Sequence, residues 1–117
     1  MDAEELKRRT KGFALRIIRL VQSLPRNDEA RVIGKQLLRS GTSLAANYRA
    51  VCRSRSNPEF IAKVGIVVEE ADETAFWLEL LGESSIASEQ RVAPLLQEAN
   101  ELVKIFAASR STAAGKR

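Results

Sequence analysis

Apolar residues recur with helical spacing in four stretches, separated by three short polar breaks. Leu6, Phe13, Ile17, Leu20 and Leu24 lie 7, 4, 3 and 4 residues apart and form one stripe of a helix over residues 3–23, closed by Leu24-Pro25. Asn27 precedes Asp28 and Glu29, which suit a helix N-terminus, and Ile33, Leu37, Leu44, Tyr48 and Val51 give the next helix its apolar side, to about residue 53. Ser56-Asn57-Pro58-Glu59 has the form of a capping box, in which Ser56 accepts from the Glu59 amide and Glu59 reaches back to the Ser56 amide. The third helix then carries Phe60, Val64, Val67, Ala71, Thr74, Leu78 and Leu81 at spacings of 4, 3, 4, 3, 4 and 3, the seam of a helical bundle. Residues 82–85 read as a turn and Ser88 as the cap of a fourth helix, with Val92, Leu95, Leu96, Ala99, Leu102, Val103 and Phe106 on one side. Pro94 falls inside that pattern; it removes a backbone donor and predicts a kink, or a regular helix delayed to about residue 93.

Four helices with short connections predict an all-α, antiparallel up-down-up-down four-helix bundle in a single domain over residues 1–117, with a frayed tail from about residue 110. Composition agrees. The chain is 44% hydrophobic but only 5% aromatic, and its 117 residues suffice for one core and not two. There is no run of roughly 20 apolar residues to span a bilayer, no apolar leader in the charged N-terminus, and a single cysteine, so the expectation is a cytoplasmic protein without membrane association.

Charge changes the picture more. The net charge of +4 hides an asymmetry: residues 1–55 carry 13 bases against 5 acids, and residues 56–117 carry 6 against 10. Arg31, Lys35, Arg39, Arg49 and Arg53 fall within about 80° of arc on the polar side of the second helix, with Thr42 and Ala46 between them. That stripe admits three readings: a solvated face, a contact with nucleic-acid phosphates, or a pairing with the acidic third helix of a neighbouring subunit. On the third helix Ile66, Phe76, Trp77 and Leu80 interleave with Glu69 and Glu73 opposite the core seam. They either tuck against the edge of an adjacent helix or form a subunit interface in which Glu69 and Glu73 meet Arg39, Arg49 or Arg53 of a neighbour. Lys7, Arg8, Arg9, Lys11, Arg16 and Arg19 of the first helix, with Arg31 and Lys35, are the candidates for meeting phosphates.

Catalytic chemistry is thinly represented. Histidine is absent, Cys52 lies beside the apolar side of its helix and reads as a small hydrophobe, and no phosphate loop or nucleotide fingerprint occurs. Glu69, Glu70, Asp72 and Glu73 lack the inward Glu-x-x-His pattern of a di-iron bundle. The expectation is a protein that is not an enzyme, with no cofactor, metal or small-molecule substrate.

The segment Gln36-Leu37-Leu38-Arg39-Ser40-Gly41-Thr42-Ser43, followed by Ala46-Asn47-Tyr48-Arg49 and later by Glu59-Phe60, Glu70-Ala71-Asp72-Glu73-Thr74 and Trp77-Leu78-Glu79-Leu80-Leu81, resembles the bacterial four-helix-bundle proteins encoded within 23S rRNA intervening sequences. It departs from them at Tyr48-Arg49-Ala50, where that pattern has an acid near position 50. The resemblance implies a homopentamer, related to the accessory variability protein of diversity-generating retroelements, and hence a partner such as RNA or a nucleoprotein containing a reverse transcriptase. It implies no catalytic residue. Binding of structured RNA or a nucleoprotein through the basic surface is the leading expectation, and a protein adaptor whose second helix is used in subunit contacts is the alternative.

Overall fold

Each break in the pattern supplies a short polar side chain that accepts from a free amide of the next first turn. Asp2 accepts from Glu5 N at 2.8 Å, Asn27 from Ala30 N at 2.8 Å, Ser56 from Glu59 N at 3.2 Å and Ser88 from Arg91 N at 3.3 Å. The computed structural model, which describes residues 1–115, accordingly contains α1 (Ala3–Gln22), α2 (Asp28–Val51), α3 (Asn57–Glu83) and α4 (Glu89–Ala113). The apolar stripes meet in one core. Phe13, Ile17, Leu37, Leu44, Val64, Val67, Leu78, Leu81, Val92, Leu102 and Phe106 are all but sealed from solvent, while Leu24, Ile33, Phe60, Leu96 and Val103 pack around them.

Consecutive helices pack against each other, and α1 also touches α4 along a thinner seam. Small residues set the close approaches. A Cβ on Gly41 would lie 3.0 Å from Ile17 Cγ2, and one on Gly34 would lie 3.0 Å from Leu24 Cδ1, so α2 rests directly on side chains of α1 and of the connection that follows it. Between α2 and α3, Thr74 Oγ1 lies 3.0 Å from Ser40 Oγ and also donates to Glu70 O at 2.7 Å, satisfying a polar pair inside the core. At the far end Asn57 Nδ2 donates to Ala113 O at 2.7 Å, joining the start of α3 to the end of α4.

Several local expectations are corrected. The Glu59 carboxylate takes the Arg55 amide at 3.4 Å and the Lys63 ammonium at 2.7 Å, so only the Ser56 half of the capping box forms. Gly82 lies inside α3, where the Glu89 carboxylate occupies the space of a Cβ; the left-handed residue of that connection is Ser85, at φ 63°. Helix α4 starts directly after Ser88, with Pro94 in its second turn, so the regular helix is not delayed. Its end lies later than the pattern suggested: helix continues through Ala113, and Gly115 at φ 79° closes it, with its N–H bonded to Thr112 O. Residues 116 and 117 of the expected frayed tail fall outside the described residues.

Candidate nucleic-acid interface

The rotation of α1 is fixed by Leu6, Thr10, Phe13, Ile17 and Leu20, which face inward. That rotation divides the six bases of α1. Lys7, Arg8 and Lys11 line a cleft of about 470 Å³ between α1 and α2, completed by Ala45, Ala46 and Arg49. The alanines leave its floor low and the four cations form its rim. Glu4 accepts from Lys7 Nζ at 3.1 Å, an exposed pair one turn away that is worth little. Arg8, Lys11 and Arg49 have no ion-pair partner among the described residues.

Arg9 points elsewhere. Its guanidinium grips Glu98 of α4 through Nε and Nη2, both at 2.7 Å, and reaches Glu101 at 3.0 Å. These hydrogen bonds raise its pKa further, and its role is to hold α1 to α4. Arg16 and Arg19 line a second cleft of about 270 Å³ with Leu20, Gln90, Arg91, Pro94 and Leu95, where Arg91 Nη1 donates to Ser23 Oγ at 2.6 Å. Arg31 is paired with Asp28 at 2.6 Å in its own first turn, and Lys35 lies with Arg31 around a shallow cleft floored by Val21, Leu24 and Gly34.

The basic stripe of α2 is likewise split. Arg39 is held by Glu70 at 3.3 Å and by Glu73 of the same chain, so an acid of a neighbouring subunit is not needed to neutralise it. The Arg39 hydrogen bond keeps the Glu73 carboxyl below its ordinary range, opposed by partial burial. The Glu73 hydrogen bond in turn raises Arg39. Arg53 is exposed.

Of the outward α3 residues, Phe76 is 49% exposed and Ile66 is 46% exposed, whereas Trp77 is partly buried against the core and Leu80 is half-buried. Two of the four thus stand open and two tuck inward. Phe76 packs edge-on to Trp77 with ring centroids 5.0 Å apart. The Trp77 indole N–H is enclosed with no partner in hydrogen-bond geometry, although the Glu73 carboxylate one turn back is near enough to feel it. Cys52 is half-buried beside Tyr48, whose phenol is pushed up by burial first and by Cys52 second. Among the described residues no group of three or more His, Cys, Asp or Glu is placed to hold a metal ion, and no helix is long and apolar enough to cross a membrane.

The family model described as 23S rRNA-intervening sequence protein matches residues 4–108. The chain belongs to that family. A solved structure described as a protein with unknown function from the S23 ribosomal protein family of Bacteroides thetaiotaomicron is 32% identical, with a TM-score of 0.86 over 95% of this chain and 99% of that one. No curated protein matches. The match to the 23S rRNA-intervening sequence proteins spans all four helices, so the helix rotations that create the α1–α2 cleft belong to the matched region.

Nothing in the apolar periodicity signalled the cleft. Arg49 faces Lys7, Arg8 and Lys11 across a cleft lined by Ala45 and Ala46, beside the close approach of α2 to α1 at Gly41, which sequence spacing within one helix does not encode.

Proposed function

We propose that this intervening-sequence protein is a non-enzymatic homo-oligomer, a ring of five up-down-up-down bundles, that binds structured RNA or an RNA-containing nucleoprotein through α1 and the facing edge of α2. The observation that carries the RNA reading is the cleft of Lys7, Arg8, Lys11 and Arg49, whose cations converge and of which Lys7 alone has an ion-pair partner among the described residues, the exposed Glu4. Such a site recognises phosphate by charge and by charge-assisted hydrogen bonds, without base-specific chemistry. The antiparallel topology is supported by contacts that run in opposite directions along neighbouring helices: Ile17 with Gly41 and Leu24 with Gly34, then Arg9 with Glu98 and Ser23 with Arg91.

Assembly is supported by the exposed Ile66 and Phe76, set among Glu69, Asp72 and Glu79 on one face of α3. Ring closure needs two different complementary patches per subunit, and this acidic apolar face against the basic end of α2 near the exposed Arg53 offers such a pair.

The test is a titration of RNA at several salt concentrations with the Lys7→Gln/Arg8→Gln/Lys11→Gln/Arg49→Gln variant. Removing a cation that meets a phosphate flattens the log–log salt slope by about 0.9 and lowers affinity. Unchanged affinity and slope in a folded variant of unchanged mass would reject the cleft as an RNA site and favour the adaptor reading, in which basic residues serve protein contacts alone.

A further inference from the structure

Gly12 lies in the middle of α1, where glycine is a poor helix former, and nothing inside the molecule requires it. A Cβ built there meets no atom within 4 Å, unlike Gly34, Gly41, Gly65 and Gly82, each of which has a neighbouring side chain in the way. The space over Gly12 is therefore open and bare.

Cations flank that bare spot, with the exposed Glu5 two turns before it. Arg8 and Arg16 lie one turn to either side of Gly12, Arg19 lies two turns on, and Lys11 stands beside it. All four are exposed and none has an ion-pair partner among the described residues. They connect the two clefts of the basic surface, because Arg8 and Lys11 line the one shared with α2 while Arg16 and Arg19 line the one shared with α4. From Arg8 to Arg19 the patch runs about 16 Å along the helix axis.

We infer that Gly12 is the seat at which the phosphate backbone of double-stranded RNA approaches the α1 backbone directly, with Arg8, Lys11, Arg16 and Arg19 gripping the phosphates around it. The inference rests on the RNA reading above and names the form of RNA. Single strands are held largely by bases stacking on rings, and this surface has none: Phe13 and Tyr48 are buried, and the exposed apolar side chain beside Gly12 is the aliphatic Leu15. A duplex presents phosphates without unstacking its bases, and rigid rows of charge suit a rigid helix carrying cations. Close contact then explains the glycine, since any side chain at position 12 would hold the backbone away from the guanidinium groups.

Gly12→Gln separates this role from a structural one. Glutamine is a better helix former and its Cβ meets no atom within 4 Å, so thermal stability rises. Affinity for a blunt RNA duplex, read by fluorescence anisotropy, falls by about tenfold, the loss of one charge-assisted hydrogen bond. Gly12→Ala, with its smaller side chain, gives the same direction and a smaller loss. In the wild type, the duplex binds more tightly than either of its separated strands. Undiminished duplex affinity in a stabilised Gly12→Gln protein overturns the seat while leaving RNA binding standing, and equal affinity for duplex and single strands overturns the choice of duplex. A change of oligomeric mass in place of a change in affinity would give the bare spot to a subunit contact. Absence of any RNA binding by the wild type sinks both this inference and the function on which it rests.

Discussion

Gly41→Ala tests whether the α1–α2 spacing, on which the basic cleft depends, is set by backbone contact. The new Cβ would sit 3.0, 3.1 and 3.3 Å from Ile17 Cγ2, Cγ1 and Cβ, inside the ordinary contact range that begins at 3.4 Å. Ile17 is sealed in the core and β-branched, so it has no free rotamer into which to retreat, and the helices must separate by a few tenths of an ångström. Overpacking of this kind costs about 1–3 kcal/mol. Alanine returns about 1 kcal/mol through helix propensity. The net expectation is a loss of about 1 kcal/mol, or about 4 °C in Tm. Gly12→Ala, with the same propensity gain and no clash, shifts stability the other way by about 1 kcal/mol. The two variants thus bracket the wild type. Ile17→Val retains all three crowding atoms and gives no relief, whereas Ile17→Ala removes two of them, so its double variant with Gly41→Ala loses less than the sum of the singles. Urea unfolding followed by circular dichroism, at one protomer concentration and with m-values compared, measures all of these. A Gly41→Ala protein as stable as Gly12→Ala would refute the account.

Arg9→Gln breaks the α1–α4 clasp on Glu98 and lowers stability by about 1–2 kcal/mol, since both partners are largely shielded, while RNA affinity stays at the wild-type value; loss of affinity without loss of stability would show Arg9 meeting phosphate instead. Glu73 has a folded-state pKa below its ordinary 4.5 through its Arg39 hydrogen bond, so the pair stabilises the fold above that value and its contribution disappears as pH falls through the lower folded pKa. The gap in urea midpoint between wild type and Arg39→Gln therefore closes on acidification below about pH 4.5, and a gap that persists undiminished at pH 3 or below contradicts the assignment. Phe76→Ala reduces oligomeric mass in light scattering with helicity intact, whereas Trp77→Ala lowers stability by about 2–3 kcal/mol because its ring packs on the core; full mass in Phe76→Ala would remove that face from the interface.

Helix starts and core positions were legible because both are local: a cap acts over three residues and a stripe over one helix. The caps Asn27, Ser56 and Ser88 and the α3 seam appear as read, except that Phe60 lies at the rim, while Asp2, the cap of α1, was not singled out. Features that require two helices at once were not legible. Arg9 and Lys7 differ by two positions, yet one faces Glu98 of α4 and the other the α2 cleft, a division that depends on which helices flank α1. The buried Ser40–Thr74 contact has the same origin: Thr74 fits the α3 stripe as a small residue, but its partner is known only when α2 is laid alongside. Trp77 was placed outward by helix rotation alone, and the width of a large ring lets it turn back to the core.

The charge asymmetry of the sequence takes a different meaning once these pairings are known. Opposite charges on α2 and α3 looked sufficient to join one subunit to the next, but Arg39 is satisfied by Glu70 and Glu73 within the chain, and Arg9 by Glu98 and Glu101. Those pairs hold the bundle together and withdraw their charges from recognition. Of the cations without an ion pair among the described residues, Arg8, Lys11, Arg16 and Arg19 gather on α1 with Arg49 across the cleft, on a surface whose exposed apolar contribution is the aliphatic Leu15. Three of the acids without an ion pair among the described residues, Glu69, Asp72 and Glu79, surround the exposed Phe76. A polyanion is attracted by charge alone and gains from released counterions, so it suits the first surface. A protein partner draws its affinity from desolvated apolar area and uses charge for register, so it suits the second. Two kinds of contact therefore centre on different helices, the polyanion on α1 and the protein partner on α3, and the intrachain ion pairs are what keep them apart.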